Sequence, residues 1–410
     1  MIRFANTSAP EETCRPEVET CDLSHKSSAP VLSAERQANL ARPAAADLLR
    51  VVASLAVAWF HLWQQSWVSA GRLEHWPRSG AAMVDVLILL SAFCLFLPYA
   101  NAVAAGAPLP RHDPKAFWRR RAVRILPSYY LCLAVSLGMV LLREGWSRHL
   151  AVDTAAHLTL TQMFVPQAYT AAKLNGVTWT LTIFALLYLV FPWLARAVVA
   201  APVQSITALL AVQLGYTLWL VPQYGTARYV FCFNQLPAFC GVFAAGFAGA
   251  FTLAYLGRCP RLQTLSARCC FTALGLAAFA GLDRLLRLQN CREYQLHQLT
   301  HRMPLVLAAC AFMVCLALGL TLPLQKLWRF LAGISFNLYL WHQMLAVWLK
   351  YELRLPTWTG STPPNQLGDA VWMHRYNLLA WAVAFGSAVL FTYCVEKPAA
   401  RWLSNRKKKV

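Results

Sequence analysis

The sequence predicts an all-α fold: a polytopic membrane helix bundle of about ten transmembrane helices with both termini cytoplasmic. Three observations predict it. Apolar residues make up 58% of the 410-residue chain and charged residues only 13%, about half the charged share of an ordinary soluble domain. Mean hydropathy is +0.44. Apolar runs of about 20 residues, the length that crosses a hydrocarbon layer as a helix, recur from residue 48 almost to the end and leave no room for a separate globular unit.

Taken in order, ten candidate spans lie near residues 48–68, 81–99, 126–142, 178–199, 203–222, 229–252, 269–285, 303–322, 330–350 and 377–395. The first 45 residues are polar, rich in Ala, Ser, Pro and Glu, and lack the charged, apolar, then small pattern of a cleaved leader. A disordered cytoplasmic tail is expected over 1–45, a membrane domain over 46–400 and a basic cytoplasmic tail over 401–410. An even number of spans puts both termini on one side. The 100–125 connection with "RHDPKAFWRRRAVR", the 253–268 connection with Arg258, Arg261 and Arg268, and the final "RKKK" all fall on that side. Such a Lys/Arg bias marks the cytoplasm, so a multi-pass protein of the plasma membrane is expected. The loops at 143–177, 286–302 and 351–376 then face outward, although Arg287, Arg292 and Arg302 sit against the rule in the second of them.

The net charge of +20 does not indicate nucleic acid, because the basic residues collect between apolar runs instead of forming a face with interleaved aromatics. The partner expected from composition is the lipid bilayer. The 13 cysteines include Cys94, Cys132, Cys310, Cys315 and Cys394 within apolar runs, where a thiol behaves as a small hydrophobe. Cys269 with Cys270, and Cys14 with Cys21, lack the C-x2-C spacing of a zinc site, so no metal is expected.

Polar residues within spans are costly and mark candidate sites. His61 lies eleven positions after Arg50, roughly 16 Å deeper at 1.5 Å rise per residue. His342, twelve positions after Phe330, lies roughly 18 Å in by the same rule. Two imidazoles at matching depth can share a cavity, or each can be packed against a backbone carbonyl. Asp85, near the outer end of the second span, needs a cation or a histidine beside it; Ser91 follows at mid-depth. Arg121 and Arg124, three positions apart, share a helical face at the mouth of the third span, where Pro127 helps to set the helix start. With Arg50 they form a candidate cluster for a polyanion such as the phosphates of a nucleotide or of coenzyme A. Intramembrane His and Asp also suit a proton-coupled transporter, the alternative from a different functional class.

Asp47-x-x-Arg50, Arg50-x10-His61, "VDVLILLSAFCLFLPY" (84–99), "RRRAVRILPSYY" (119–130), "WTLTIFALLYLVFP" (179–192), "NQLPAFCGVFAAG" (234–246), "ISFNLYLWH" (334–342) and "VEKP" (395–398) follow one another in a distinctive order. That ordered set resembles the acyltransferase 3 family, membrane-bound O-acyltransferases of bacterial surface glycans. It spans about residues 45–400. "FHLWQQSW" (60–67) is similar to versions of the family from Gram-positive bacteria.

The resemblance implies an enzyme that takes an acyl group, most often acetyl, from acyl-CoA on the cytoplasmic side. It delivers the group to a hydroxyl of a cell-surface glycan or lipid-linked sugar, alone or through a separate acyl-transfer partner. His61 takes the place of the family's essential histidine, Arg50 of its paired arginine, and Arg121 and Arg124 of its R-x-x-R pair. Asp85, Ser91 and His342 match other recurrent polar positions, and Trp179 and Tyr188 align with the fourth-span motif. That motif's glutamate is Phe184 here, and the glycine that usually follows Ser91 is Ala92. Either Asp85 or His342 then replaces the missing carboxylate beside His61, or the acceptor differs, or activity is lost.

Overall fold

In the computed structural model, which describes residues 34–405, the chain runs through ten long helices, and no strand occurs among the described residues. They are α1 (Ala44–Ser66), α2 (Met83–Ala104), α3 (Pro114–Glu144), α4 (Trp179–Ala200), α5 (Pro202–Leu220), α6 (Cys240–Leu256), α7 (Leu265–Gln289), α8 (Tyr294–Gly319), α9 (Gln325–Tyr351) and α10 (Ala370–Phe391). Nine helical stretches among the described residues are long and apolar enough to cross a membrane. The tenth, α9, is 27 residues long, but Ser335, Asn337, His342 and Gln343 lower its hydropathy. Of those polar groups, Ser335, Asn337 and His342 are buried inside the bundle.

Local chemistry sets the helix ends. The Asp113 carboxylate accepts from the Ala116 N–H at 2.9 Å, and Pro114, whose missing N–H would be unpaired there in any case, opens α3. The helix start expected near Pro127 therefore lies a long way upstream: Pro127 is inside α3, and the basic run "WRRRAVR" is helical throughout. Thr264 and Asp369 cap α7 and α10 in the same way, accepting from Ala267 and Trp372. α1 ends where Trp67 turns to φ 58° and its N–H bonds to the Trp63 carbonyl.

Burial sorts the helices into an inner and an outer set. α2 is apolar all round and buried on nearly every side, as such a helix must be. It packs on α6 through Gly246, where an added Cβ would lie 2.8 Å from the Ala92 Cβ and 2.9 Å from the Leu89 carbonyl oxygen. The glycine that permits this close approach is thus on α6, which is why an alanine is accommodated at 92. α5 and α7 lie outermost, with Val203, Leu214, Leu218, Leu265 and Leu276 all exposed. A surface so apolar belongs in lipid.

Three sequence expectations need correction. Disorder does not extend to residue 45: Ala34–Ala41 is a helix, Leu40 is buried, and Asn39 donates to the Ala317 carbonyl at 3.0 Å. Residues 1–33 and the last five of the basic tail lie outside the described residues. The 286–302 segment is not one loop, since α7 runs to Gln289 and α8 starts at Tyr294. Arg302, expected in that loop, is therefore a fully buried residue of α8. Finally, the sixth span begins at Cys240, after a break around Asn234 that has a structural purpose described below.

Candidate active site

A cavity of about 450 Å³ opens at the end of the bundle that holds the start of α1. Its walls come from α1, α2, α3, α4 and α9. Helical spacing explains why: Asp47, Arg50 and Ser54 recur on one face of α1, and Ser335, Phe336 and Tyr339 on one face of α9. Four arginines, Arg42, Arg50, Arg121 and Arg124, line it against a single carboxylate, Asp47. Asp47 is already neutralised by Arg42, whose guanidinium meets it at 3.1 Å. Of the other three, Arg124 alone has a carboxylate near it among the described residues, so the cavity keeps an excess of positive charge that suits an anionic ligand.

Each arginine is held differently. Arg50 places Nη2 3.4 Å from the Cys94 thiol, a weak contact that leaves most of its donors free. Arg121 lies over the Phe117 ring at 5.4 Å and the Tyr188 ring at 5.9 Å, and its buried Nε has no hydrogen-bond partner among the described residues. Arg124 is half exposed and lies 3.9 Å from Glu396. That carboxylate, in "VEKP", sits in a π-helical turn, Thr392–Glu396, and accepts from Asn337 Nδ2 at 2.8 Å. The same Asn337 amide donates to Thr392 at 2.9 Å, so two motifs far apart in sequence lock together below the cavity wall.

Deeper in, Ser91 Oγ and the Tyr188 hydroxyl lie 3.4 Å apart on the cavity wall. Phe184, at the place of the family glutamate, is stacked on Tyr188 with ring centroids 6.2 Å apart. Tyr339 closes the inner end. Its hydroxyl donates to the Val177 carbonyl at 2.8 Å and accepts from Thr180 at 3.0 Å.

The two histidines stand one turn beyond Tyr339. Their ring centroids are 5.2 Å apart, and His342 lies 6.0 Å from the Tyr339 ring. The Leu338 carbonyl, 3.0 Å from His342 Nδ1, can only accept. It therefore fixes a proton on Nδ1 and leaves Nε2 with a free lone pair. That Nε2 is buried and has no partner among the described residues. His61 Nδ1 similarly meets Gln64 Oε1 at 3.2 Å. His342 thus presents an unprotonated Nε2, the form a general base requires, while the Gln64 amide can pair with either tautomer of His61.

Two sequence candidates lie elsewhere. Asp85 does not face the histidines; its carboxylate is 3.1 Å from Arg302 Nε, with both side chains buried. Arg302 also donates to the Ala238 carbonyl at 3.2 Å and Asn234 Oδ1 at 3.0 Å, and lies 4.3 Å over the Phe239 ring. The helix break before α6 exposes these oxygens to the guanidinium. Asp85 is a structural partner, and the second imidazole, His342, is what stands beside His61. Trp179 likewise turns away from the cavity and stacks on Phe239 at 6.2 Å. Sequence reasoning singled out neither Arg42, which precedes the first long helix, nor Tyr339, a tyrosine within an apolar run.

A family model described as an acyltransferase domain (Acyl_transf_3) matches residues 44–397. The chain is 26% identical over 163 residues to nodulation protein 10 of Rhizobium leguminosarum bv. viciae, which covers 36% of this chain and 43% of that relative. The match spans less than half of the relative's length. No solved structure matches the chain significantly. With a family match over nearly the whole membrane domain, this chain belongs to the acyltransferase 3 family of membrane acyltransferases.

Proposed function

We propose that the chain transfers an acyl group, specifically acetyl, from acyl-CoA to a hydroxyl of a cell-surface carbohydrate or its lipid-linked precursor, at the plasma membrane. The observation that carries this reading is the alignment of the arginine-lined cavity with the paired histidines beyond its inner end. Arg50, Arg121 and Arg124 hold the donor phosphates and the acyl thioester points toward Tyr339. Arg50 and His61 are eleven positions apart on one face of α1, an axial distance of roughly 16 Å.

In the transfer step the acceptor hydroxyl gives its proton to an imidazole Nε2 as its oxygen attacks the thioester carbonyl. The carbon–sulfur bond breaks, CoA leaves as thiolate, and the imidazolium returns the proton to it. Two adjacent imidazoles allow the proton to be shared in a site with no carboxylate beside it among the described residues. A variant route has His61 accept the acyl group first; a short-lived acyl-histidine trapped by rapid quench distinguishes it.

The transporter alternative relied on an intramembrane His/Asp relay, and Asp85 is committed to Arg302 instead. The test is base-labile acetate in the envelope glycan of cells making wild-type chain, His61→Ala chain at the same membrane level, or neither. Acetate raised by the wild type alone supports acyl transfer; equal acetate in all three would remove the proposal.

A further inference from the structure

The turn between α7 and α8, at the end of the bundle opposite the arginine cavity, gathers metal-ligating side chains that the transfer reaction does not use. We propose that Cys291, Glu293 and His297 form a binding site for a transition-metal dication, with Zn²⁺ the best fit. Their ligand atoms all lie within 4.8 Å of one another.

Three observations support it beyond proximity. Cys291 is a free thiol, and the Glu293 carboxylate has no hydrogen bond or ion pair among the described residues although Arg292 is its neighbour. His297 Nδ1 is buried and also lacks a partner there. A buried ring nitrogen left unpaired costs free energy that a bound ion would recover.

The second observation is local geometry. The Glu293 carbonyl accepts from the His297 N–H at 3.0 Å, so the first turn of α8 places both side chains on one side. The Cys291 N–H bonds to the Gln289 carbonyl at 2.9 Å, which folds the thiol back toward them. The third is rigidity. Tyr229 holds the Gln295 carbonyl at 3.0 Å, and Asp283 on α7 joins His75 at 2.6 Å, Trp76 at 2.8 Å and Arg287 at 2.8 Å. The turn is therefore clamped on both sides, and a site on it is preorganised.

The ligand set selects the ion. Thiolate, imidazole and carboxylate together suit Zn²⁺ or Co²⁺, whereas Ca²⁺ and Mg²⁺ take oxygen donors. Thiolate and carboxylate offset the charge of a dication. His301, one turn along α8, stacks on His297 with ring centroids 5.1 Å apart and keeps its Nδ1 3.0 Å from the His297 carbonyl, so Cys291, Glu293 and His297 supply the protein ligands and the fourth position falls to solvent. The C-x-E-x3-H-x3-H spacing contains no cysteine pair, so a search for paired cysteines passes over it.

The test uses the full chain in detergent, reduced and stripped with chelator, titrated with Co²⁺. One saturable equivalent with thiolate-to-cobalt charge-transfer absorption, displaced by Zn²⁺, is expected. Cys291→Ser should abolish the band and His297→Ala the saturable equivalent, while replacing both Cys269 and Cys270 by Ser leaves them intact. In parallel, Zn²⁺ should slow alkylation of Cys291 in the unmutated protein at least tenfold, read by peptide mass. No saturable equivalent in the wild type, an equal signal in Cys291→Ser, or unchanged alkylation of Cys291 would overturn the proposal. None of these readouts depends on acyl transfer.

Discussion

His61 and His342, 281 positions apart in sequence, bring their rings to 5.2 Å with a 46° tilt. Each lies seventeen positions past the start of its helix, Ala44 for α1 and Gln325 for α9. Both helices start at the same end of the bundle, so equal offsets mean equal depth. His61→Ala should therefore lower acyl transfer by about 10²–10⁴, the usual worth of a positioned base. His342→Ala should do the same, and the double variant should be little worse than either single one, because the two rings act as a unit. Turnover at matched membrane levels measures this.

The arginines should separate by burial. Arg121→Ala removes a guanidinium whose buried Nε has no partner among the described residues, and about a tenfold rise in KM for acetyl-CoA is expected, the effect of roughly 1.4 kcal/mol. Arg124 is half exposed and near Glu396, so Arg124→Ala should cost less and the loss should shrink further in high salt. Donor titrations at two ionic strengths report both effects.

Asp85 and Arg302 form a fully buried pair. Removing one partner leaves an uncompensated charge, which typically destabilises by about 3–5 kcal/mol. Asp85→Leu and Arg302→Met should each lower the unfolding midpoint in detergent, and the double variant should recover much of the loss. A catalytic Asp85 would instead give a stable, inactive protein whose activity the second substitution could not restore.

What the sequence made legible followed from regular geometry. Helical rise predicted that the histidines would share a depth, and a three-residue spacing predicted that Arg121 and Arg124 would share a wall. What it hid depended on where helices end. Drawing the 286–302 loop through the first turns of α8 put Arg302 outside the bundle, and with it the partner of Asp85. The polar "HQLTH" there reads as loop because its burial comes from neighbouring helices. The cationic wall was legible as a charge cluster, but Tyr339 was not: a tyrosine among apolar residues gives no sign that its hydroxyl will bond to Val177 and Thr180.

Tyr339 supplies a further prediction. Its hydroxyl anchors the ring at the cavity's inner end, and Tyr339→Phe removes the anchor while keeping the ring. The Thr180 hydroxyl keeps the Val177 carbonyl, 3.3 Å away, as its acceptor, so the stability cost should stay near that of one hydrogen bond, about 1 kcal/mol. Acyl transfer should fall while donor KM stays within about twofold.

At the α2–α6 crossing, Gly246→Val should clash with Ala92 and the Leu89 carbonyl, costing about 1–3 kcal/mol. Ala92→Gly creates no clash and should cost only about 0.5–1 kcal/mol, the usual cost of glycine within a helix. Thermal unfolding in detergent checks both.

The proposed function divides the work between cations that hold the donor and imidazoles that move its acyl group. Its most direct test measures acetyl-CoA affinity and single-turnover transfer to isolated envelope material on the same preparations of wild-type, Arg121→Ala and His61→Ala protein. Arg121→Ala should lose affinity and regain transfer at saturating donor; His61→Ala should keep its affinity and lose transfer. Transfer retained by His61→Ala, or affinity untouched in Arg121→Ala, would contradict the account.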